Sequence, residues 1–464
     1  MIREKNFIYL LCLIFIVFKF VSIYLTKLDL FGDEAQYWIW SKTLDFGYYS
    51  KPPLLSWVIA LVSNLFGSSL FVLKTIPVSI YCLTSLVVYF ISKKLIANND
   101  LATITAVSFF VMPGVSFSSF LLSTDVLFIL FWSLSLLMVL KIKDIPSTMN
   151  FLLLGIFVGL AFMSKYAAIY FVVSFVFLFF EKNMRLVLLT NWAKLLFCCL
   201  VIVIILSPNI IWNINNDWVT FEHTSENAAL SRAGVNLFES LKFLASQILM
   251  IGPLVFLSFV FWGYRVFNFG FNEKFLVIFS LPTFLIVLLE SILVRANANW
   301  AAASLMGAII LFVHVVYKNR KKFIYYNIFL NFILGFALFY FVAIGSSYGP
   351  FSRISGISSF GDEIYDKTKY HKNIVVGERM LFSNLNYIFR EHQIKMFVPY
   401  LPSSQIKNHF QITNALPQNY KNNFIFVGYE EQIKYLNEKH EVFFLKEYNV
   451  MFQNEPIKVY EVLF

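Results

Sequence analysis

Asp33 and Glu34 stand side by side in a stretch crowded with aromatic rings, DEAQYWIW. A carboxylate fixed beside low-dielectric rings near a membrane surface can serve as a general base at neutral pH. The same residues also suit an aromatic interfacial belt with solvated acids. Asp125 opens an apolar run in SFLLSTDVLF. Burying a carboxylate at the bilayer centre costs roughly 2.5–3.5 kcal/mol and less near the interface, so an acid there is functional or paired. MSKYAAIY carries Lys165, which equally fits a snorkelling interfacial lysine. SPNIIWNINNDWVTFEHTSENAALSRAG carries Asp217, Glu222, His223 and Arg232, and ESILVRANANWAAA carries Glu290, Arg295, Asn297 and Asn299. Either could be an ordinary hydrophilic loop. Taken together, these types offer carboxylates for proton transfer and cations for phosphate, Arg through its planar fork and Lys as a point charge. The four cysteines all lie inside apolar runs without metal-ligand spacing, so no metal ligands are assigned. Neither G-x-x-x-x-G-K-[ST] nor G-x-G-x-x-G occurs.

The elements that must hold these residues are membrane helices. Of 464 residues 59% are hydrophobic and 14% charged, where soluble chains run to about 45–50% and 25%. The formal charge of +10 forms no continuous basic stripe, which argues against a nucleic-acid partner. Apolar runs at 7–26, 69–92, 101–121, 124–140, 150–163, 166–180, 195–213, 241–263, 275–294, 300–317 and 323–345 predict about eleven spans. The first follows a basic start as a signal peptide would, but no small-residue cleavage site follows it, and it reads as an uncleaved span. With the N-terminus inside, the cytoplasmic loops collect fourteen cations, including Lys93, Lys94, Lys141, Lys143 and Lys318 to Lys322. The longer loops of the other face hold Lys27, Lys42, Lys51, Lys165, Arg232 and Arg295. That bias fixes the orientation and sends residues 27–67 and the C-terminal segment outside. Pro52 and Pro53 interrupt the 27–67 loop; the thirteen apolar residues that follow are too short to cross and stop at Gly67. From about 346 to 464 the chain turns polar, with β-type runs NIVVGER, NFIFVGY, EVFFLKEY and IKVYEVLF. The expected fold is therefore mainly α: a polytopic transmembrane helical bundle over 1–345, with 27–67 as its catalytic outer loop, and a small extracytoplasmic α/β domain over 346–464. The acids and cations of successive outer junctions are expected to share one cavity.

The motifs DEAQYWIWSKTLDFGYYSKPPLLSW, LSTD, GLAFMSKY, PNIIWNINNDWVTF and NANWAAA resemble those of bacterial membrane glycosyltransferases of the GT-C fold. These are related to the lipid A aminoarabinose transferase and, more distantly, to the dolichyl- and polyprenyl-phosphate-mannose protein mannosyltransferases. The resemblance covers about residues 1–345. It implies a polyprenyl-phosphate sugar donor, a lipid or glycan acceptor, and inverting transfer outside the bacterial cytoplasmic membrane. It further implies a catalytic acid at Asp33, with Glu34 beside it, a second acid at Asp125, and a donor-phosphate lysine at Lys51. Lys165, Arg232 and Arg295 are expected to assist Lys51. The aminoarabinose transferase carries Glu before that lysine, contributing to a divalent metal site, whereas this chain has Ser50. A divalent cation therefore stays open as a cofactor. In VVGERMLFSNLNYIF, Arg379 matches a family arginine that precedes an aromatic helix.

Lipid A is the expected acceptor, with protein or surface polysaccharide as alternatives. A transporter of lipid-linked sugars is a further reading; such proteins place charges at the midplane and show repeated halves, whereas this chain gathers its charges at one face and has no repeat.

Overall fold

The computed structural model describes residues 2–228, 234–262, 269–368, 373–399, 406–417, 419–433, 440–450 and 452–464. Helix α1 (Ile2–Leu25) opens the chain, and the predicted outer loop holds two short helices, α2 (Gly32–Trp40) and α3 (Leu54–Phe66). Helix α3 begins just after the Pro pair and stops where Gly67 takes φ +82°, a left-handed conformation that glycine adopts without steric cost. Next come α4 (Leu70–Ile96), α5 (Asn99–Phe110), α6 (Pro113–Ser118), α7 (Thr124–Asp144) and α8 (Thr148–Ser164). The Asn98 side chain caps α5 by accepting from the Asp100 and Leu101 amides, and Pro113 forces the break that divides α5 from α6. The chain continues through α9 (Ile169–Phe177), α10 (Lys182–Thr190), α11 (Trp192–Asn215), α12 (Val219–Ala228), α13 (Leu237–Ile251), α14 (Pro253–Trp262), α15 (Phe271–Ile278), α16 (Leu281–Leu293) and α17 (Ala302–Ala343).

Among the described residues, seven helical segments are long and apolar enough to cross a membrane, or eight if the bent pair α13–α14 counts as one: Phe7–Leu25, Leu70–Ile96, Thr124–Asp144, Trp192–Asn215, Phe271–Leu293, Ala298–Tyr317 and Arg320–Ala343. Residues 101–121, expected as one span, contain two helices, α5 and α6. The expected runs 150–163 and 166–180 are separate helices, divided at Lys165, whose extended backbone separates α8 from the next apolar helix. Helices α13 and α14 bend by 116° about Gly252, which sits at φ +98° just before Pro253.

The chain forms two compact units. One comprises Met1–Phe20, Lys51–Leu55 and Lys74–Phe339; the other comprises Val21–Ser50, Ser56–Leu73 and Tyr340–Phe464. In the first, α8 is the packing centre. Gly155 and Gly159, one turn apart, let α11 approach so closely that a Cβ on Gly155 would lie 2.8 Å from the Cys198 carbonyl oxygen. This small-residue spacing is how membrane helices gain contact where lipid offers no hydrophobic drive. Trp132 of α7 meets Phe171 edge-on at 5.1 Å, and Phe171 meets Phe279 at 5.0 Å.

The second unit is built on a five-stranded sheet with β1 (Asn373–Val376), β2 (Lys395–Phe397), β3 (Phe424–Gly428), β4 (Glu441–Tyr448) and β5 (Ile457–Leu463) in the order β2-β1-β3-β5-β4. The first three strands are parallel and the last two antiparallel. β3 is buried along its whole length, so its run of apolar residues alternates only weakly. All four predicted strands are present; β2, only three residues long, had no sequence signal. Helices α18 (Ile357–Thr368) and α19 (Arg379–Ile388) flank β1 in the chain, and α19 packs directly on α2.

Candidate active site

Helix α2 lies in the second unit, and its aromatic residues point inward. Trp38 meets Tyr387 of α19 edge-on at 5.1 Å, and Trp40 stacks flat on Tyr48 at 4.5 Å. His409 closes over both rings, 5.4 Å from Trp40 and 5.1 Å from Tyr48. Burial pushes the His409 imidazole down to about 4 and the Tyr48 phenol up to about 12, so both are neutral at physiological pH. The Tyr48 hydroxyl donates to the Trp40 carbonyl at 2.7 Å, which closes the C-terminal end of α2. At its start, Gly32 is pressed against α19: a Cβ there would come within 2.6 Å of Met380 Cβ.

Within this frame the two neighbouring acids separate. Glu34 is 2% exposed, and its carboxylate accepts the Phe31 amide at 2.8 Å, satisfying a donor at the helix start. Asp33 is the acid whose side chain is presented outward, 57% exposed. Arg379 flanks it: its Nη1 donates to Gln36 Oε1 at 3.0 Å and lies 3.8 Å from the Asp33 carboxylate. Both Glu34 and Asp33 sit in the first turn of α2, where the helix dipole favours negative charge. Upstream, the Asp29 carboxylate accepts from both the amide and the hydroxyl of Ser358. Burial raises the Asp29 carboxyl above its usual range, against the pull of those bonds.

The first unit holds the second group of candidates. Asp125, in the first turn of α7, is 7% exposed and both its oxygens are engaged. Lys165 Nζ donates to Oδ1 at 2.6 Å, and Asn299 Nδ2 donates to Oδ2 at 2.7 Å. Three junctions distant in sequence, LSTD, MSKY and NANW, thus converge on one carboxylate. Lys165 can reach it because the chain is extended there, between α8 and a short 3₁₀ turn. Its neighbour Tyr166 donates to Asn209 Oδ1 at 2.7 Å and stacks on Phe221 at 5.0 Å, which joins the PNIIW motif to the same junction.

The remaining candidates fall elsewhere. Lys51 is half-buried in the first unit, immediately before Pro52 and Pro53. Arg295 is exposed between α16 and the turn Ala298–Ala301 and has no hydrogen bond or ion pair among the described residues. Arg232 lies outside the described residues. Among the described residues no three His, Cys, Asp or Glu side chains gather as a metal site, and Ser50 brings no carboxylate next to Lys51. Asn299 was named at its junction without a partner, whereas Gln36 and His409 were not singled out and become meaningful only through their partners.

Long apolar helices, several of them broken, and a small α/β unit in which α19 packs on the helix that presents Asp33 are the elements of a GT-C membrane glycosyltransferase, and the comparisons with known proteins support that class. The fold matches ArnT from Cupriavidus metallidurans in the apo state at TM-score 0.72 and 14% identity, covering 99% of this chain and 98% of that one. The undecaprenyl-phosphate-bound form of the same protein matches at TM-score 0.71, 14% identity and 98% of each chain. The Archaeoglobus fulgidus oligosaccharyltransferase matches at TM-score 0.53 and 14% identity, over 91% of this chain and 69% of that one. A family model described as dolichyl-phosphate-mannose-protein mannosyltransferase matches residues 50–212. The lipid A galacturonosyltransferase RgtD of Rhizobium johnstonii is 32% identical over 321 residues, 68% of this chain and 66% of the relative. The match therefore spans about two thirds of that relative's length. The chain belongs to the membrane glycosyltransferases of the GT-C fold.

Proposed function

We propose that this enzyme transfers a sugar from a polyprenyl-phosphate donor to lipid A at the periplasmic face of the bacterial inner membrane, with inversion at the anomeric carbon. The observation that carries the reading is Asp33: one outward-facing carboxylate on a helix whose other surfaces are pinned by rings. The similarity to RgtD supports the lipid A acceptor and makes a galacturonosyl donor the first to assay. The excess of cations in the opposite loops supports the orientation.

In this reaction the bond between the anomeric carbon and the donor phosphate oxygen breaks, and polyprenyl phosphate leaves with the electron pair. Lys51 stabilises the charge gathering on that phosphate, assisted by Lys165 and by Arg232 or Arg295. Asp125 acts through Lys165: a carboxylate engaged on both oxygens orients its cation and is poorly placed to accept another proton. The acceptor oxygen attacks from the opposite side. Where it is a hydroxyl, Asp33 takes its proton; where it is a phosphate, already anionic, Asp33 acts by position. The donor phosphoester supplies the driving force, so no nucleotide is consumed.

The test is transfer in liposomes from purified polyprenyl-phosphate galacturonic acid to lipid A. Asp33→Asn is expected to lower transfer about 10²–10⁴-fold, the range contributed by a positioned acid or base, and Lys51→Ala about 10²–10³-fold, the loss of one contact to developing charge, while both proteins still insert. Wild-type rates in both variants overturn the assignment. The family model's description favours a second acceptor, protein. An unchanged lipid A mass spectrum in cells lacking the gene, with a sugar lost from a membrane protein, selects it.

A further inference from the structure

Lys19 of α1 and Lys74 of α4 are both fully buried within membrane-spanning helices of the first unit. A lysine in that environment is retained where it has a polar task, since an apolar side chain of equal size would pack there without a desolvation penalty. Lys19 Nζ donates to Ser119 Oγ at 3.0 Å and sits among the rings of Phe15, Phe110 and Phe339. It has no carboxylate partner among the described residues. Lys74 Nζ donates to the Phe120 carbonyl at 3.3 Å and lies 4.0 Å from the Phe120 ring centroid. A third donor, the Tyr81 hydroxyl, reaches Ser118 Oγ at 2.8 Å.

Three donors from two helices thus meet three consecutive residues, Ser118, Ser119 and Phe120. That is where α6 ends and the chain runs unwound through Leu121, Leu122 and Ser123 before α7 starts. Helix ends leave carbonyls unsatisfied, and Lys74 supplies a partner to one of them at Phe120. Ser119 Oγ in turn donates to the Ser116 carbonyl at 2.7 Å, so Lys19 is tied through it to the body of α6. Asp125 stands five residues beyond Phe120, and its bonds of 2.6 and 2.7 Å to Lys165 and Asn299 leave little tolerance for sliding of α7.

We infer that Lys19 and Lys74 are positioning residues of the transferase, buried amine donors that anchor the α6–α7 corner and so set the place of Asp125 against Lys165. The inference rests on the proposed part of Asp125 and Lys165 in transfer. It requires neither lysine to meet substrate, and full burial keeps both from doing so.

The experiment compares Lys19→Met and Lys74→Met with wild type in the liposome transfer assay. Methionine fills the same space without charge, so both variants are expected to keep a cooperative melt. Their kcat is expected to fall roughly tenfold or more while KM for the lipid-phosphate sugar changes less than about twofold, the signature of a lost transition-state arrangement. Lys19→Arg and Lys74→Arg restore kcat. In an Asp125→Asn background Lys19→Met costs nothing further. Wild-type kcat in both methionine variants overturns the inference, as does a full, multiplicative loss in the Asp125→Asn background. Should a methionine variant fail to fold, Ser119→Ala removes only the hydroxyl that Lys19 grips: a reduced kcat supports the inference and an unchanged one overturns it. A wild-type protein inactive with every polyprenyl-phosphate sugar instead refutes the proposed function, and the inference falls with it.

Discussion

The surroundings of Asp33 and of Asp125 solve opposite problems. Asp33 is an exposed acid on a helix pinned by ring contacts, its carboxylate flanked by Arg379 at 3.8 Å. Asp125 is a buried acid whose oxygens are both spoken for, with its constraint in the hydrogen bonds themselves. The first arrangement suits a group that meets a substrate, because nothing must be broken before it reacts. The second suits a group that holds another in place. The difference predicts that substitutions at the two acids diverge in what they damage.

The largest divergence is in stability. Asp125→Ala leaves the partly buried Lys165 without its counter-ion; breaking a fully buried pair typically costs about 3–5 kcal/mol, and this largely buried one is expected to approach that range. Asp33→Asn removes an exposed charge 3.8 Å from Arg379, an interaction in the range of roughly 0.2–1 kcal/mol. Unfolding of the purified proteins in detergent is therefore expected to show a clear loss for Asp125→Ala and almost none for Asp33→Asn, although both lose transfer. Asp125→Ala combined with Lys165→Met is expected to regain part of the stability and none of the activity. Equal stability losses at the two positions break the contrast.

The contrast also explains what could be read in advance. The membrane architecture was legible because lipid imposes length and apolarity on every span, and the four longer strands of the second unit because their β-branched and aromatic runs sit between turns. Some breaks were legible and others were not. The division at Lys165 was marked by a charge between two apolar runs, whereas the 116° bend at Gly252 was missed because the 241–263 run was read by hydropathy as one span. Pairings across long sequence distances were not legible at all. The distance from Asn299 to Asp125, and from Arg379 to Asp33 and Gln36, is set by tertiary packing. The junctions that carry them could be named, but not their partners. Glu34 illustrates the ambiguity of type: beside Asp33 it looked like a second catalytic acid, yet its carboxylate spends a hydrogen bond on the helix start.

His409 sharpens the account of the Asp33 region. Its imidazole is held near 4 by burial, against 6.5 for the free side chain, so the unfolded chain binds a proton that the folded chain refuses between these values. Stability from this group is complete above about pH 6.5 and is lost as the pH falls toward 4, by about 3 kcal/mol in all. Hydrogen exchange over residues 32–40 and 406–413 is expected to accelerate at pH 4.5 relative to pH 7. In His409→Phe, which keeps the ring contacts with Trp40 and Tyr48 but cannot be protonated, that acceleration is expected to vanish. The amides around Asp125 serve as the internal reference, because no histidine is among that carboxylate's hydrogen-bond partners.

The smallest expected effect is at Arg379, and it separates holding a helix from aiming a carboxylate. Helix α2 keeps its ring contacts with Tyr387, Tyr48 and His409 when the guanidinium is gone. Arg379→Ala should therefore change stability by less than about 1 kcal/mol, as expected for a partly exposed ion pair. What it removes is the steering of Asp33 and the bond to Gln36 at 3.0 Å. Losing a group that aligns a reacting carboxylate without itself reacting is expected to lower kcat roughly tenfold, equivalent to about 1.4 kcal/mol in the barrier. Arg379→Lys, which restores the charge but not the planar fork, should recover little of it. Full activity in the lysine variant means that charge alone suffices, and Asp33 is then held by electrostatics and not by the geometry of the Gln36 contact.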